Sequence, residues 1–224
     1  MPDASPVPVV TIDGPSGSGK GTIAAMLAER LGWHLLDSGA LYRIVAAVAL
    51  SRGTALDDEA ALAEMAGKLD ISFDDGSVRV DGENLAEVIR SEPVSRAASQ
   101  VAALSAVRGA ILEAQQRMRR APGLVADGRD MGTVVFKDAS LKIYLDASVE
   151  ERAERRYNQL KNKGLSVSLR ALLASLTERD ERDKGRAVSP LVPAKDALVI
   201  DSTRLTIEAV LQIVYAEVLA RHLV

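Results

Sequence analysis

The chain has 224 residues, 47% of them hydrophobic, a formal net charge of -3 and no cysteine. That length suits one sizeable α/β domain with a small insertion. The absence of cysteine excludes disulfides, thiol nucleophiles and cysteine metal sites. The small net charge gives no general pull toward nucleic acid or an anionic membrane, and 3% aromatic residues are too few for a base-stacking platform. His34 and His222 are the only histidines and lie far apart, so no protein-ligated metal site is expected. Residues 1–6 lack the basic and apolar segments of a signal peptide, and no apolar run reaches transmembrane length, so a cytoplasmic protein is expected.

Val7-Pro8-Val9-Val10-Thr11-Ile12 reads as a buried strand, and residues 23–31 read as a helix. Between them stand Gly14, Pro15, Ser16, Gly17, Ser18, Gly19, Lys20, Gly21 and Thr22. Strand, glycine loop and helix start are the context in which backbone N–H groups and a helix dipole hold phosphate. Lys20 then reaches the outer phosphates of a nucleoside triphosphate. The position after the lysine, where such loops usually carry Ser or Thr, is Gly21, so a direct metal-ligand hydroxyl is not assigned there.

Gly32 is a helix stop, and residues 33–36 read as a short buried strand with Trp33 in the core. Asp37-Ser38-Gly39-Ala40-Leu41-Tyr42-Arg43 starts the next helix; Ser38 and Arg43 are placed to hold a phosphate of a second substrate. Residues 57–69 read as an amphipathic helix. Residues 70–82 alternate about Asp75-Gly76 and predict an antiparallel hairpin in an inserted subdomain, with helices at 84–90, 92–104 and 105–120. Ser99 and Arg108 fall on these helices and by themselves suggest only solvated surface.

Leu124-Val125-Ala126 forms a strand that delivers Asp127 to its carboxyl end, where open α/β sheets bind ligands. An aspartate there either holds water around Mg²⁺ or orients an acceptor phosphate. Arg129 and Asp130 follow on a glycine-flanked loop; a simple salt bridge is the plainer reading. Residues 141–146 form another core strand, Ser148 caps a helix bearing Arg152, Arg155 and Arg156, and residues 179–186 are a mixed-charge run. Such a run is usually a solvated helix face, but two arginine clusters around a glycine-containing segment also suit a lid over a transferring phosphoryl group. A last strand at 197–201 and a last helix from Thr206 close the chain.

Gly14–Thr22, the Leu-Asp-Ser-Gly-Ala-Leu-Tyr-Arg stretch ending at Arg43, and the Ala-Asp-Gly-Arg-Asp-Met-Gly-Thr stretch around Arg129 together resemble the bacterial cytidylate kinases. The match continues through Ala98-Ser99-Gln100-Val101-Ala102 and Arg186-Ala187-Val188-Ser189-Pro190-Leu191. The resemblance implies a P-loop kinase core with a parallel sheet flanked by helices, a monophosphate-binding insertion at about 65–104 and a short lid at about 152–170. It implies transfer of phosphoryl from ATP, with Mg²⁺, to CMP or dCMP, in pyrimidine nucleotide metabolism. Residues Gly14–Thr22 then bind ATP. Ser38, Arg43, Arg129, Asp183 and Arg186 contact the acceptor's sugar and phosphate, with Arg179 a further phosphate contact. Ser99, Arg108 and Asp130 face the cytosine, and Arg155, with Arg156, belongs to the lid; Lys20, Asp127 and Arg155 are the expected catalytic residues. A monomer with small-molecule substrates and no nucleic-acid or membrane partner is expected. Two other readings stand beside this one: a kinase of a different small acceptor on the same core, and a nucleotide-dependent switch. The switch would need a base-reading Asn-Lys-x-Asp, and Asn162-Lys163-Gly164-Leu165 lacks the aspartate.

Overall fold

The computed structural model describes residues 7–74, 77–186 and 188–224. The N-terminal segment 1–6, the Asp75-Gly76 turn and Ala187, each read above from sequence, lie outside the described residues. The chain divides into two compact units, one of residues 1–36 and 118–224 and one of residues 37–117.

The first unit is built on a five-stranded sheet. In chain order its strands are β1 (Val9–Asp13), β2 (His34–Asp37), β6 (Leu124–Gly128), β7 (Leu141–Asp146) and β8 (Leu198–Asp201). Their spatial order is β2-β6-β1-β7-β8, and β1 pairs in parallel with both β6 and β7, as β7 does with β8. Both faces of the central strands are covered, so β1 and β6 are buried throughout and read as apolar runs rather than alternating ones. Helices α1 (Lys20–Leu31) and α8 (Ile207–Ala220) cover one face. Ile23 and Leu27 of α1 and Val210, Leu211, Val214 and Val218 of α8 pack with Val10, Ile12, Val125, Ile143 and Leu145 of the sheet. Each such buried aliphatic side chain contributes roughly 1.5–3 kcal/mol over an exposed one. Helices α6 (Val149–Asn162) and α7 (Leu169–Lys184) complete the unit. Ser148 caps α6 by accepting from the Glu151 N–H at 3.2 Å, as the capping-box spacing predicts.

Parallel pairing brings the carboxyl ends of the strands to one edge. Asp13 of β1 lies beside Gly128 of β6 and Tyr144 of β7, and Asp146 of β7 lies beside Asp201 of β8. That edge is where ligands bind in open α/β sheets.

The second unit holds α2 (Ser38–Arg52), α3 (Glu59–Lys68), the three-stranded sheet β3-β4-β5 (Ile71–Asp74, Ser77–Val80, Glu83–Asn84), α4 (Glu92–Val101) and α5 (Ser105–Arg117). The hairpin is antiparallel, with Ile71 opposite Val80 and Phe73 opposite Val78. The helix expected at 84–90 is not formed. Asn84 continues the ladder opposite Arg79, and Leu85 N–H donates to Val78 O at 2.8 Å. The Asn84 carboxamide oxygen accepts from Ala86 N–H at 3.0 Å, a local bond that competes with helix, leaving only a 3₁₀ turn at Val88–Arg90. Helices α4 and α5 stop at Val101 and Arg117, short of the expected 104 and 120.

Candidate active site

The phosphate loop begins where β1 ends. Its backbone lies so close to β7 that a Cβ on Gly14 would stand 2.1 Å from Leu145 O. Gly17 takes a φ of 83°, in the left-handed region that favours glycine. Lys20 opens α1, and its ammonium donates to Pro15 O at 3.3 Å, folding back over the loop.

Two arginines of α6 hold the outer side of this loop. Arg152 is 3% exposed; Nε donates to Ala147 O at 2.9 Å, Nη1 to Ser16 O at 3.0 Å, and the guanidinium pairs with both oxygens of Asp180 on α7. Arg155 donates from Nη1 to Ser18 O at 3.3 Å, from Nη2 to Ser202 O at 2.6 Å and from Nε to Glu151 at 2.8 Å. Arg155 is therefore tied to the phosphate-loop backbone and the segment after β8. Arg156 instead donates to Gln159 at 2.9 Å on its own helix. A cavity of about 330 Å³ lies beside this brace, lined among others by Pro15, Tyr144, Asp146, Arg152 and Asp180.

Asp127 leaves β6 buried, and its carboxylate meets the start of α1: a Cβ on Gly21 would stand 3.1 Å from Oδ2. The glycine after the lysine thus leaves room for an acid from the neighbouring strand, where a Ser or Thr would crowd it. Among the described residues no group of three or more His, Asp or Glu side chains is arranged to hold a metal unaided.

The loop after β6 carries the second set of expected residues. Arg129 donates from Nε to Asp183 Oδ2 at 2.9 Å, and Arg186 pairs with Asp183 Oδ1. Asp183 is 1% exposed. Burial pushes its carboxyl up, but Arg129 and Arg186, with a smaller contribution from Arg179, hold it below the usual carboxylate range. The mixed-charge run at 179–186 is therefore no solvated face at Asp183 and Arg186, which are buried against the Arg129 loop. Asp130 is also buried and begins a single π-turn at Met131–Val135.

Within the second unit, Asp37 and Ser38 begin α2. Asp37 accepts from Ala40 N–H at 2.9 Å and from Arg43 Nη2 at 2.6 Å. The Ser38 hydroxyl accepts from Gln115 Nε2 at 2.8 Å, with both side chains buried. Ser99 and Arg108 are buried rather than solvated; Arg108 donates to Ala102 O at 3.2 Å and its guanidinium lies 5.7 Å from the Tyr42 ring centre.

A family model described as cytidylate kinase matches residues 10–220. The chain belongs to the cytidylate kinase family. It is 58% identical over 226 residues to the cytidylate kinase of Stutzerimonas stutzeri (strain A1501), covering 97% of this chain and 98% of that one. It is 59% identical over 212 residues to the cytidylate kinase of Pseudomonas aeruginosa (strain UCBPP-PA14), covering 92% and 93%. A third relative, the cytidylate kinase of Aeromonas salmonicida (strain A449), is 57% identical over 213 residues, covering 93% of each chain. A crystal structure of an uncharacterized protein from Eubacterium ventriosum ATCC 27560 superposes with a TM-score of 0.52 at 10% identity, covering 94% of this chain and 98% of that one, and shares the fold alone. Among the described residues no helix is long and apolar enough to cross a membrane.

Membership in the family accounts for the three sequence stretches, but several residues that build the site were not singled out from sequence. Asp13, Gln115 and Ser202 bond the loop backbone or the expected residues, and Asp180 bonds Arg152, which was read only as part of an arginine cluster. Of these, Asp13 alone carries a local signal that could have marked it, an acid closing a mostly apolar strand.

Proposed function

We infer that this chain transfers the γ-phosphoryl group of ATP to the phosphate of CMP or dCMP, giving ADP and CDP or dCDP. Family membership over residues 10–220 carries the reading. The loop chemistry supports it: Gly21 beside Asp127 departs from the Ser or Thr of switch-type phosphate loops.

The acceptor phosphate is already a competent nucleophile, so no strong base is required. The task is to hold two polyanions in line and offset their repulsion. Loop residues Gly14–Thr22 bind the ATP phosphates through backbone N–H groups, and Lys20 neutralises charge on the transferring group. Ser38 and Arg43 are assigned to the acceptor phosphate and sugar, as are Arg129, Asp183 and Arg186, with Arg179 a further phosphate contact. Ser99, Arg108 and Asp130 read the cytosine. Arg155, with Arg156, acts from a lid at about 152–170, and the segment at about 65–104 is the monophosphate-binding insertion.

Asp127 fits a magnesium ion that arrives with the nucleotide: its carboxylate is buried at the helix start and Gly21 gives it space. Held near Asp127 with the nucleotide, Mg²⁺ would supply positive charge that offsets the repulsion between the phosphates. A monomer in the cytoplasm, acting on small molecules alone, completes the reading.

Product analysis tests it. With ATP, CMP and magnesium, one CDP should appear for each ADP, and ADP should form at a small fraction of that rate when CMP is omitted. Equal ADP formation with and without CMP would mean hydrolysis, not transfer.

A further inference from the structure

Asp13 is a buried charged group outside the residues assigned above, and both of its carboxylate oxygens are committed to backbone. It ends β1, one residue before the phosphate loop, and is 5% exposed. Its two carboxylate oxygens accept from two consecutive backbone N–H groups: Oδ1 from Met131 and Oδ2 from Gly132, each at 2.8 Å. Successive N–H groups of this kind form an anion-binding concavity, and here the anion is a side chain of the protein itself. These N–H groups follow directly on Asp130 and begin the π-turn, in which Val134 N–H donates to Asp130 O at 2.9 Å and Phe136 N–H to Met131 O at 2.7 Å. The approach leaves no spare room. A Cβ on Gly132 would stand 2.9 Å from the Thr11 hydroxyl oxygen of β1 and 3.2 Å from the Lys142 side chain of β7.

We propose that Asp13 is a positioning residue for acceptor recognition: by clamping Met131 and Gly132 it fixes the loop that presents Arg129 and Asp130. It touches neither substrate. The proposal rests on the assignment of Arg129 and Asp130 to CMP made under the proposed function. The physical reason is that a loop side chain can discriminate only if its backbone is held, because about 1 Å of misplacement costs on the order of a hundredfold. Two charge-assisted bonds from one buried carboxylate provide that hold. An amide in its place keeps the shape but turns an N–H₂ toward one of the two N–H donors.

Asp13→Asn and, from the opposite partner, Gly132→Ala test the proposal in the intact enzyme, with Asp130→Ala measured alongside. The expected result for both is a rise in KM for CMP of about tenfold and a narrowing of the CMP-to-UMP ratio of specificity constants, the scale of one polar base contact. KM for ATP should stay within about twofold, far below that effect. A merely structural role would lower the melting temperature and move both KM values together, and that pattern overturns the proposal. So does an unchanged KM for CMP in folded Asp13→Asn. If Asp13→Asn does not fold, Gly132→Ala decides by the same criteria. If Asp130→Ala leaves the CMP-to-UMP ratio unchanged, the base-reading assignment fails by itself; Asp13 is then judged on KM for CMP through Arg129, which must still rise.

Discussion

The Asp127 carboxylate sits against the backbone of Gly21, so that a Cβ on that glycine would lie 3.1 Å from Oδ2. An acid from β6 and the first turn of α1 therefore share one small space. Gly21→Ala should favour the helix itself, by up to about 1 kcal/mol of intrinsic propensity. It should nonetheless lower turnover by about tenfold, since displacement of a group by a few tenths of an ångström is costly in an aligned site. A thermal melt and kcat with saturating substrates check both halves. Unchanged kcat would remove Asp127 from the reacting centre.

Lys20→Ala should leave the circular dichroism spectrum unchanged and abolish most transfer. Loss of one preorganised donor typically removes about 3–4 kcal/mol of transition-state stabilisation, or roughly a hundred- to a thousandfold in kcat. Near-normal turnover in the folded variant contradicts the role given to this side chain.

Arg155→Ala separates a lid role from a purely structural one. Its guanidinium donates to Ser18 O and to Ser202. If it acts on charge in the transition state, kcat should fall while KM for CMP changes little. A rise in KM for CMP alone would move it to the acceptor site. A rise in KM for ATP alone would leave it as a brace of the phosphate loop, the contact seen here.

Asp13 and Asp183 should give stability opposite pH dependences. Burial, the largest effect, raises the Asp13 carboxyl to about 6, with the Gly132 and Met131 N–H groups opposing it, Asp130 adding to it and Arg129 opposing. Tyr144 on the adjacent strand β7 also feels the Asp13 charge. A carboxyl raised in the folded state contributes stability that is present below its unfolded value of 3.8 and lost as pH rises to about 6. Asp183 is lowered, so its contribution is present above 3.8 and is lost as pH falls through its folded value. Denaturant melts across pH 3–7 should therefore show the loss between about 4 and 6 disappear in Asp13→Asn. Persistence of that slope in the variant contradicts the assignment. Asp183→Ala, which takes this carboxylate from the half-buried Arg129 and the buried Arg186 guanidinium, should cost up to about 3–5 kcal/mol at neutral pH.

Local patterns showed much of this molecule. The glycine loop, the apolar strands and the Ser148 cap are each written in a few neighbouring residues, and the fold follows from them. Contacts that join distant segments were not visible in the same way. Nothing local to Arg152 says that it will reach Ser16 O, nor that Asp180 will meet it. The run at 179–186 looks like any charged helix face until Arg129 is brought to Asp183. The expected helix at 84–90 failed for a local reason, the Asn84 side chain bonding to Ala86 N–H in place of a helical turn.

The central claim is the choice of acceptor, and the specificity constants for CMP, dCMP, UMP and AMP with ATP test it most directly. In the proposed role the Asp130 carboxylate would accept from the cytosine 4-amino group but meet the uracil 4-carbonyl as lone pair against lone pair. CMP and dCMP should therefore exceed UMP by at least about ten- to hundredfold, the 1–3 kcal/mol of one good polar base contact, and Asp130→Ala should narrow that gap chiefly by weakening CMP. Equal use of CMP and UMP by the unaltered enzyme, or faster transfer to AMP, would contradict the account.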